Sequence, residues 1–495
     1  FTIGDNDTFA IWYAQEIEGY RTDVRSINTQ LLATDWYIDQ LKRRTYTSSP
    51  IPSQLEHRQY AYGVRDYIKY ESLLDSVRWS LNDFMRWVSS DQPRTQYKFL
   101  LEQYDVSTAN IPKSTQQMIY YPTNQIRVPV NKENVLKSGL VKPEDAELIV
   151  DYIDIDLPTS GLYKNRLMML DILHNNNWER PIYFTGGSYD DSEYFWMKDY
   201  LQLDGLVYKL VPIKTPLDPN NPYQMGRIDA NRMYDIVMKW DWGNSESPDI
   251  YHDPETRKNS ISFRSNITRL ANALIVEEQA EKAITVLDLA MEKMPIETFG
   301  YYSLITPIAS AYYRAGATEK AQQIVQKLAA GFQEYMRYYA QWDNGDQLAL
   351  MENLVGNVER YKSLLTEVVQ ARDYETLAAI YDPFYESILP FSYIYGKYDF
   401  YSELTPFVAG LYAADQLELA RELSGNITQQ YIDLLNRFLT LEKEQLTYFE
   451  MEIGIEVEAY KSLVSTIRRN ETDPKVIEKV QNTYVETVGQ FTFLD

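Results

Sequence analysis

Asp5, Asn6, Asp7 and Thr8 stand together in "FTIGDNDTFAIWY", where the chain begins. Carboxylates at i and i+2 can hold a divalent cation through oxygen or accept hydrogen bonds from sugar hydroxyls. A structural role competes: one Asp caps a helix N-terminus and its neighbours form an Asx turn. A cap accounts for one acid and leaves the second, and the amide, open. A second junction, "RPIYFTGG" followed by "SYDDSEYFW", places Gly186 and Gly187 where backbone N–H groups could meet an anion. Asp190, Asp191 and Glu193 would repel phosphate there, and no Lys completes a phosphate loop. A tight turn with acidic helix capping is favoured at this junction. Charges such as Arg21 and Asp23 more often solvate a loop than do chemistry.

Other chemistries find less support. His57, His174 and His252 lie far apart without a zinc-ligand spacing, and no G-x-S-x-G word is present. Zero cysteines exclude disulfides, a thiol nucleophile and Cys-ligated zinc. No metal site is expected, with Asp5 and Asp7 a weak candidate pair, and no cofactor is expected. Four Asn-x-Thr words, at Asn6, Asn266, Asn426 and Asn470, fit an acceptor pattern short enough to arise by chance. A net charge of −23 argues against a nucleic-acid partner, which needs a basic footprint. The 42 tyrosines and nine tryptophans supply faces that stack on sugars or on helical neighbours.

The elements that must position these residues divide the chain in two. Residues 1–255 read as an α/β or α+β domain of alternating strands and helices. A strand ends at Gly4, and a helix from Thr8 to Glu18 places Phe9, Trp12, Tyr13 and Ile17 on one face. "DVRSINTQLL" has strand character, and Thr34 is a plausible N-cap for "DWYIDQLKRR". Residues 56–90 read as an inserted helical segment, "IRVPV" and "DYIDID" as short strands, and "NRLMMLDILHNNNW" as a helix stopping at its asparagines. "RPIYFTGG" and "GLVYKLVPI" read as strands with a helix, "DSEYFWMKDYLQ", between them. Residues 256–495 are expected to be all-helical and tetratricopeptide-like, with Ala283, Ala321 and Ala420 in equivalent positions of three degenerate helix pairs. A strand opening at Phe1 without an initiator Met is expected of a segment of a longer chain.

Three stretches carry a resemblance: "GDNDTFAIWYAQEIEGYRTDVRSINTQLLATDWYIDQLK", "YYPTNQIRVPVNKENV" and "NRLMMLDILHNNNWERPIYFTGG". In that order they resemble the soluble C-terminal region of a bacterial multi-pass membrane protein family classed as glycosyltransferase family 117. That family is similar to transmembrane protein O-mannosyltransferases of animals. The resemblance implies a parent of the GT-C type, whose membrane half carries the catalytic acid and the lipid-linked donor, so the chain would not be catalytic alone. It implies an accessory domain at the periplasmic or extracytoplasmic face of a bacterial inner membrane, recognising acceptor protein or glycan. Its partners would be its own N-terminal transmembrane region, the acceptor, and proteins docking on the helical repeats. The ligand-binding candidates are Asp5, Asn6, Asp7, Thr8, Arg21, Asp23, Trp36, Arg180 and Tyr183 from those stretches, with Gly186 and Gly187. Two other readings stand beside this one: a cell-envelope scaffold, and a metal-dependent sugar-phosphate enzyme using Asp5 and Asp7.

Overall fold

The computed structural model describes all residues except 75, 189, 220–223, 301–303, 392–404, 414, 442–445, 447, 448 and 492–495. Tyr189 of the second junction and Ala414 of the last helix pair thus lie outside the described residues. The chain forms two units, Phe1–Asp241 and Trp242–Asp495.

The first unit opens with α1 (Asp5–Glu16), α2 (Asp35–Leu41), α3 (His57–Tyr60), β1 (Tyr67–Tyr70), β2 (Trp79–Ser80) and α4 (Leu81–Val88). It continues through α5 (Tyr97–Gln103), α6 (Lys113–Gln116), β3 (Tyr120–Tyr121), β4 (Gln125–Pro129), α7 (Lys132–Lys137), β5 (Tyr152–Asp156), β6 (Leu162–Tyr163) and α8 (Lys164–Asn176). It closes with β7 (Tyr183–Thr185), β8 (Leu201–Asp204), β9 (Val207–Leu210) and α9 (Ala230–Val237). The strands form three separate three-stranded sheets, ordered β3-β1-β6, β2-β4-β5 and β7-β9-β8. Only β1–β3 and β2–β4 run parallel; the other pairs are antiparallel. The unit is therefore α+β, and the expected α/β arrangement of one sheet faced by helices is corrected.

Alternation explains the polar strand "DYIDID". Ile153 and Ile155 are buried opposite Val128 and Ile126, while Asp154 pairs with Arg127 on the other face through two 2.8 Å hydrogen bonds. Helix α8 is apolar nearly all round, with Leu167, Met168, Met169, Leu170, Ile172 and Leu173 buried. It stops where expected, at Asn177, which takes a left-handed conformation (φ 42°).

Four other local expectations are corrected. The first strand is a single bridge, Thr2 to Asn28, and α1 already begins at Asp5. "DVRSINTQLL" makes a short 3-10 turn, because Asn28 Oδ1 accepts from the amides of Gln30 and Leu31 at 2.9 Å each. Residues 56–90 hold two strands beside α3 and α4, since Tyr67–Tyr70 pairs with distant β3 and β6. "DSEYFWMKDYLQ" breaks into two 3-10 turns and β8, because Phe195 and Trp196 are both left-handed and cannot continue a helix. Thr34 is the N-cap residue of α2 as expected, although its hydroxyl donates to Leu31 O and makes no capping bond.

Among the described residues, every regular element of the second unit is a helix. Four of its hairpins are α10 (Pro254–Val276) with α11 (Ala280–Lys293), then, after α12 (Ile296–Phe299), α13 (Thr306–Arg314) with α14 (Thr318–Tyr339). After α15 (Asn344–Ala349) come α16 (Met351–Gln370) with α17 (Tyr374–Ile388), and Thr405–Ala413 with Leu417–Phe438. One turn closes all four. Glu278, Gly316, Arg372 and Asp415 are left-handed at equivalent positions. The next amide reaches back to Leu274 O, Tyr312 O, Val368 O and Leu411 O at 2.8–3.1 Å, the Schellman pattern. Five residues beyond each left-handed residue stand Ala283, Ala321, Leu377 and Ala420, all buried. The sequence showed three of these copies and missed the one in which Leu377 replaces the Ala.

Candidate functional site

The opening tetrapeptide forms the first turn of α1, with Gly4 as the N-cap and no side-chain cap bond. Neither Asp is a cap. Residues two apart on a helix point about 200° apart, so Asp5 and Asp7 do not converge on one ion. Asp7 Oδ2 accepts from Thr185 Oγ1 at 2.6 Å, tying α1 to β7. Thr8 is fully buried, and its hydroxyl meets Thr2 Oγ1 at 2.6 Å, Gly4 O at 2.8 Å and Asn28 Nδ2 at 2.9 Å. Asp5 and Asn6 are exposed. The aromatic face of α1 turns outward: Phe9, Tyr13 and Ile17 are 55%, 58% and 70% exposed.

At the second junction each glycine has a packing or backbone reason. A Cβ on Gly186 would stand 2.9 Å from the Tyr208 ring, and Gly187 takes φ +99°. Asp190 caps the following turn by accepting from Ser192 N at 2.9 Å. Trp36 is exposed and packs edge-on against Tyr37.

Four candidates do meet. Arg21, Asp23, Arg180 and Tyr183 line one cleft of about 330 Å³, with Phe1, Arg25 and Asn176. The left-handed turn at Asn177–Trp178 ends α8 and reverses the chain into β7, which delivers Arg180 and Tyr183 to the wall. Arg21 (φ 48°) holds Asp23 through bonds of 2.8 and 3.0 Å. That pair raises the Arg21 guanidinium and lowers the Asp23 carboxyl from their ordinary values.

Arg25 was missed at the sequence level. Its available signal is the alternation Arg21-x-Asp23-x-Arg25. It donates to Thr45 Oγ1 at 2.9 Å and to Arg43 O, while its Nε is buried without a partner. Burial pulls its pKa down, and neighbouring Arg180 adds to the fall. Arg180 donates to Pro50 O at 2.8 Å. Both guanidiniums therefore bond neutral oxygens and face one cleft, a local positive spot on a chain of net charge −23. Behind the wall, Arg232 bonds buried Asp204 at 2.9 Å and reaches the Tyr183 hydroxyl at 3.4 Å. Burial raises the Tyr183 phenol, and Asp204 adds to it, so the hydroxyl stays protonated at neutral pH. Of the residues lining the cleft, Asp23 is the one carboxylate, and Arg21 engages it. The groups suit binding of an anionic or hydroxyl-bearing ligand better than bond cleavage.

Residues 1–232 match the family model TMEM260-associated domain 2. The matched span contains the whole cleft and ends within α9. No curated protein and no solved structure shows a significant match to the chain. Among the described residues, no helix is long and apolar enough to cross a membrane.

Proposed function

We propose that the chain is an extracytoplasmic accessory portion of a membrane-embedded glycosyltransferase of the GT-C type, and that its α+β unit recognises the acceptor protein or glycan. The observation that carries this reading is the match of residues 1–232 to a domain associated with TMEM260. The three quoted sequence stretches, which resemble the soluble part of glycosyltransferase family 117 and relatives of O-mannosyltransferases, point the same way. The Arg25–Arg180 cleft supports it with binding groups. Chemistry in this reading belongs to the membrane-embedded part of the parent. We assign the outward face of α1, with Phe9, Tyr13 and Ile17, to contact with that part at the bilayer interface, where aromatic side chains are favoured. The repeated hairpins of the second unit, read as tetratricopeptide-like, serve as a protein-docking surface.

The test is sugar transfer by the full-length membrane protein to its acceptor. Arg25→Ala/Arg180→Ala should raise the KM for acceptor at least about tenfold with kcat retained, the signature of lost binding. Unchanged KM, in a variant whose far-UV spectrum matches the parent, refutes acceptor recognition by this cleft.

A further inference from the structure

A second, larger cleft of about 700 Å³ lies in the first unit, lined by Trp79 of β2 and Trp87 of α4. The indoles stand 5.6 Å apart with their planes at 62°, two walls of a corner. Trp87 is pinned: its Nε1 donates to Tyr120 O at 2.6 Å, and the Tyr120 ring meets it edge-on at 5.6 Å. Trp79 Nε1 donates to no acceptor among the described residues, although its ring is half-buried.

Polar groups of both kinds rim the corner. The Gln54 and Gln92 amides and the Arg94 guanidinium line it with no side-chain hydrogen bond to the described protein. Arg94 sits 6.0 Å over the Trp87 ring. Asp83 accepts from Ser80 Oγ at 2.6 Å through one oxygen and stands 3.6 Å from Arg86 Nη1 through the other, with its side chain 54% exposed.

We infer that this corner is a pyranose-binding site of the α+β unit. A pyranose ring offers an apolar C–H face to an indole and hydroxyls that both donate and accept. Trp79 and Trp87 meet the first demand. Asp83, Gln54, Gln92, Arg94 and the free Trp79 N–H meet the second. A purely apolar ligand would strand the amides and the guanidinium. The inference deepens the acceptor reading above by giving the recognised group a chemical class, and it rests on that reading only for where the glycan comes from.

The experiment titrates the 495-residue chain with methyl α-mannoside, α-linked mannobiose, cellobiose and chitobiose. Tryptophan fluorescence and saturation-transfer NMR are the readouts. At least one disaccharide should saturate, with transfer to its ring protons. Trp79→Ala should weaken that binding at least about tenfold. Arg94→Ala, at an exposed side chain whose one fold contact named above is over the Trp87 ring, should weaken it at least about threefold, which keeps the test valid if Trp79→Ala misfolds. Trp342→Ala, at an exposed tryptophan of the second unit, should leave it unchanged. Failure of all four probes to bind, or binding that survives both cleft variants, overturns the inference. The two failures are separable. Transfer by the parent that depends on the first unit, without disaccharide binding, removes the pyranose site alone. Disaccharide binding that Trp79→Ala abolishes, with an acceptor KM unchanged by Arg25→Ala/Arg180→Ala, keeps the pyranose site and removes the acceptor reading.

Discussion

Thr8→Val tests whether the opening tetrapeptide is architecture or a ligand site. The substitution conserves shape and deletes one hydroxyl that has three partners at 2.6–2.9 Å. Two of the partners are side chains of residues only 2% and 1% exposed, Thr2 and Asn28, so water cannot replace the lost bonds. Each polar group stranded in this way costs about 1–3 kcal/mol. The Thr2 hydroxyl retains Ile27 O at 3.4 Å as a weak alternative, which limits the total to about 2–3 kcal/mol. Asp5→Ala removes an exposed acid from the first turn of α1 and should cost less than about 1 kcal/mol, its share of the helix-dipole interaction. Urea unfolding followed by tryptophan fluorescence suits the comparison, because Trp12, Trp36, Trp79, Trp87, Trp178, Trp196 and Trp240 all lie in the first unit. The midpoint should fall for Thr8→Val with the slope unchanged, the sign of lost stability at constant buried surface. A Thr8→Val protein within about 0.5 kcal/mol of the parent, or an Asp5→Ala protein equally damaged, refutes the buried-knot account.

Three further outcomes follow from particular residues. Gly161→Ala should cost about 2–4 kcal/mol by urea unfolding, because φ is +96° and the new Cβ would sit 2.6 Å from Ile68 O; a neutral change would mean the turn before β6 is misplaced. Buried Glu471 takes two 2.8 Å bonds from Arg421 and one each from Tyr412 and the amides of Thr472 and Asp473, which together hold its pKa down at about 2. An acid depressed on folding contributes stability that is present above its unfolded value near 4.5 and lost as pH falls toward 2. Glu471→Gln should therefore lower the melting temperature at pH 7 and flatten its acid decline, and a parallel decline in both proteins would count against the pairing. Asp171 has the opposite sign: burial lifts it to about 6, so stability should fall by up to about 3 kcal/mol as pH rises from about 4 to 6. Asp171→Asn should remove that slope, and a slope that persists assigns it to another group.

Elements with a strong local period were legible in the sequence. Strands β4, β5, β7 and β9 and helices α8 and α10 lie where alternation, helical period and the asparagine stop place them. The misread elements depend on distant partners. Tyr67–Tyr70 is a strand only because Tyr120–Tyr121 and Leu162–Tyr163 pair with it, and a run of aromatic residues looks equally helical. Phe195 and Trp196 in left-handed conformation could not be foreseen from residue type, since bulky side chains seldom adopt it. The hairpin closed by Arg372 was hidden because Leu377 stands where the other copies have a small Ala. For the site, Arg21, Asp23, Arg180 and Tyr183 were named together from sequence words, and they share one cleft. Asp7 and Thr8 were named with them, yet their hydrogen bonds face the protein interior. Residue type shows which groups can bind a ligand, whereas burial decides whether the ligand or the fold receives the bond.

The most direct test of the account is acceptor-dependent sugar transfer by the full-length membrane protein, measured with residues 1–241 intact and with Arg25 and Arg180 both replaced by Ala. The acceptor-recognition reading requires the KM for acceptor to rise at least about tenfold while the membrane-embedded chemistry, read as kcat, is retained. Equal KM values in equally folded proteins would contradict it.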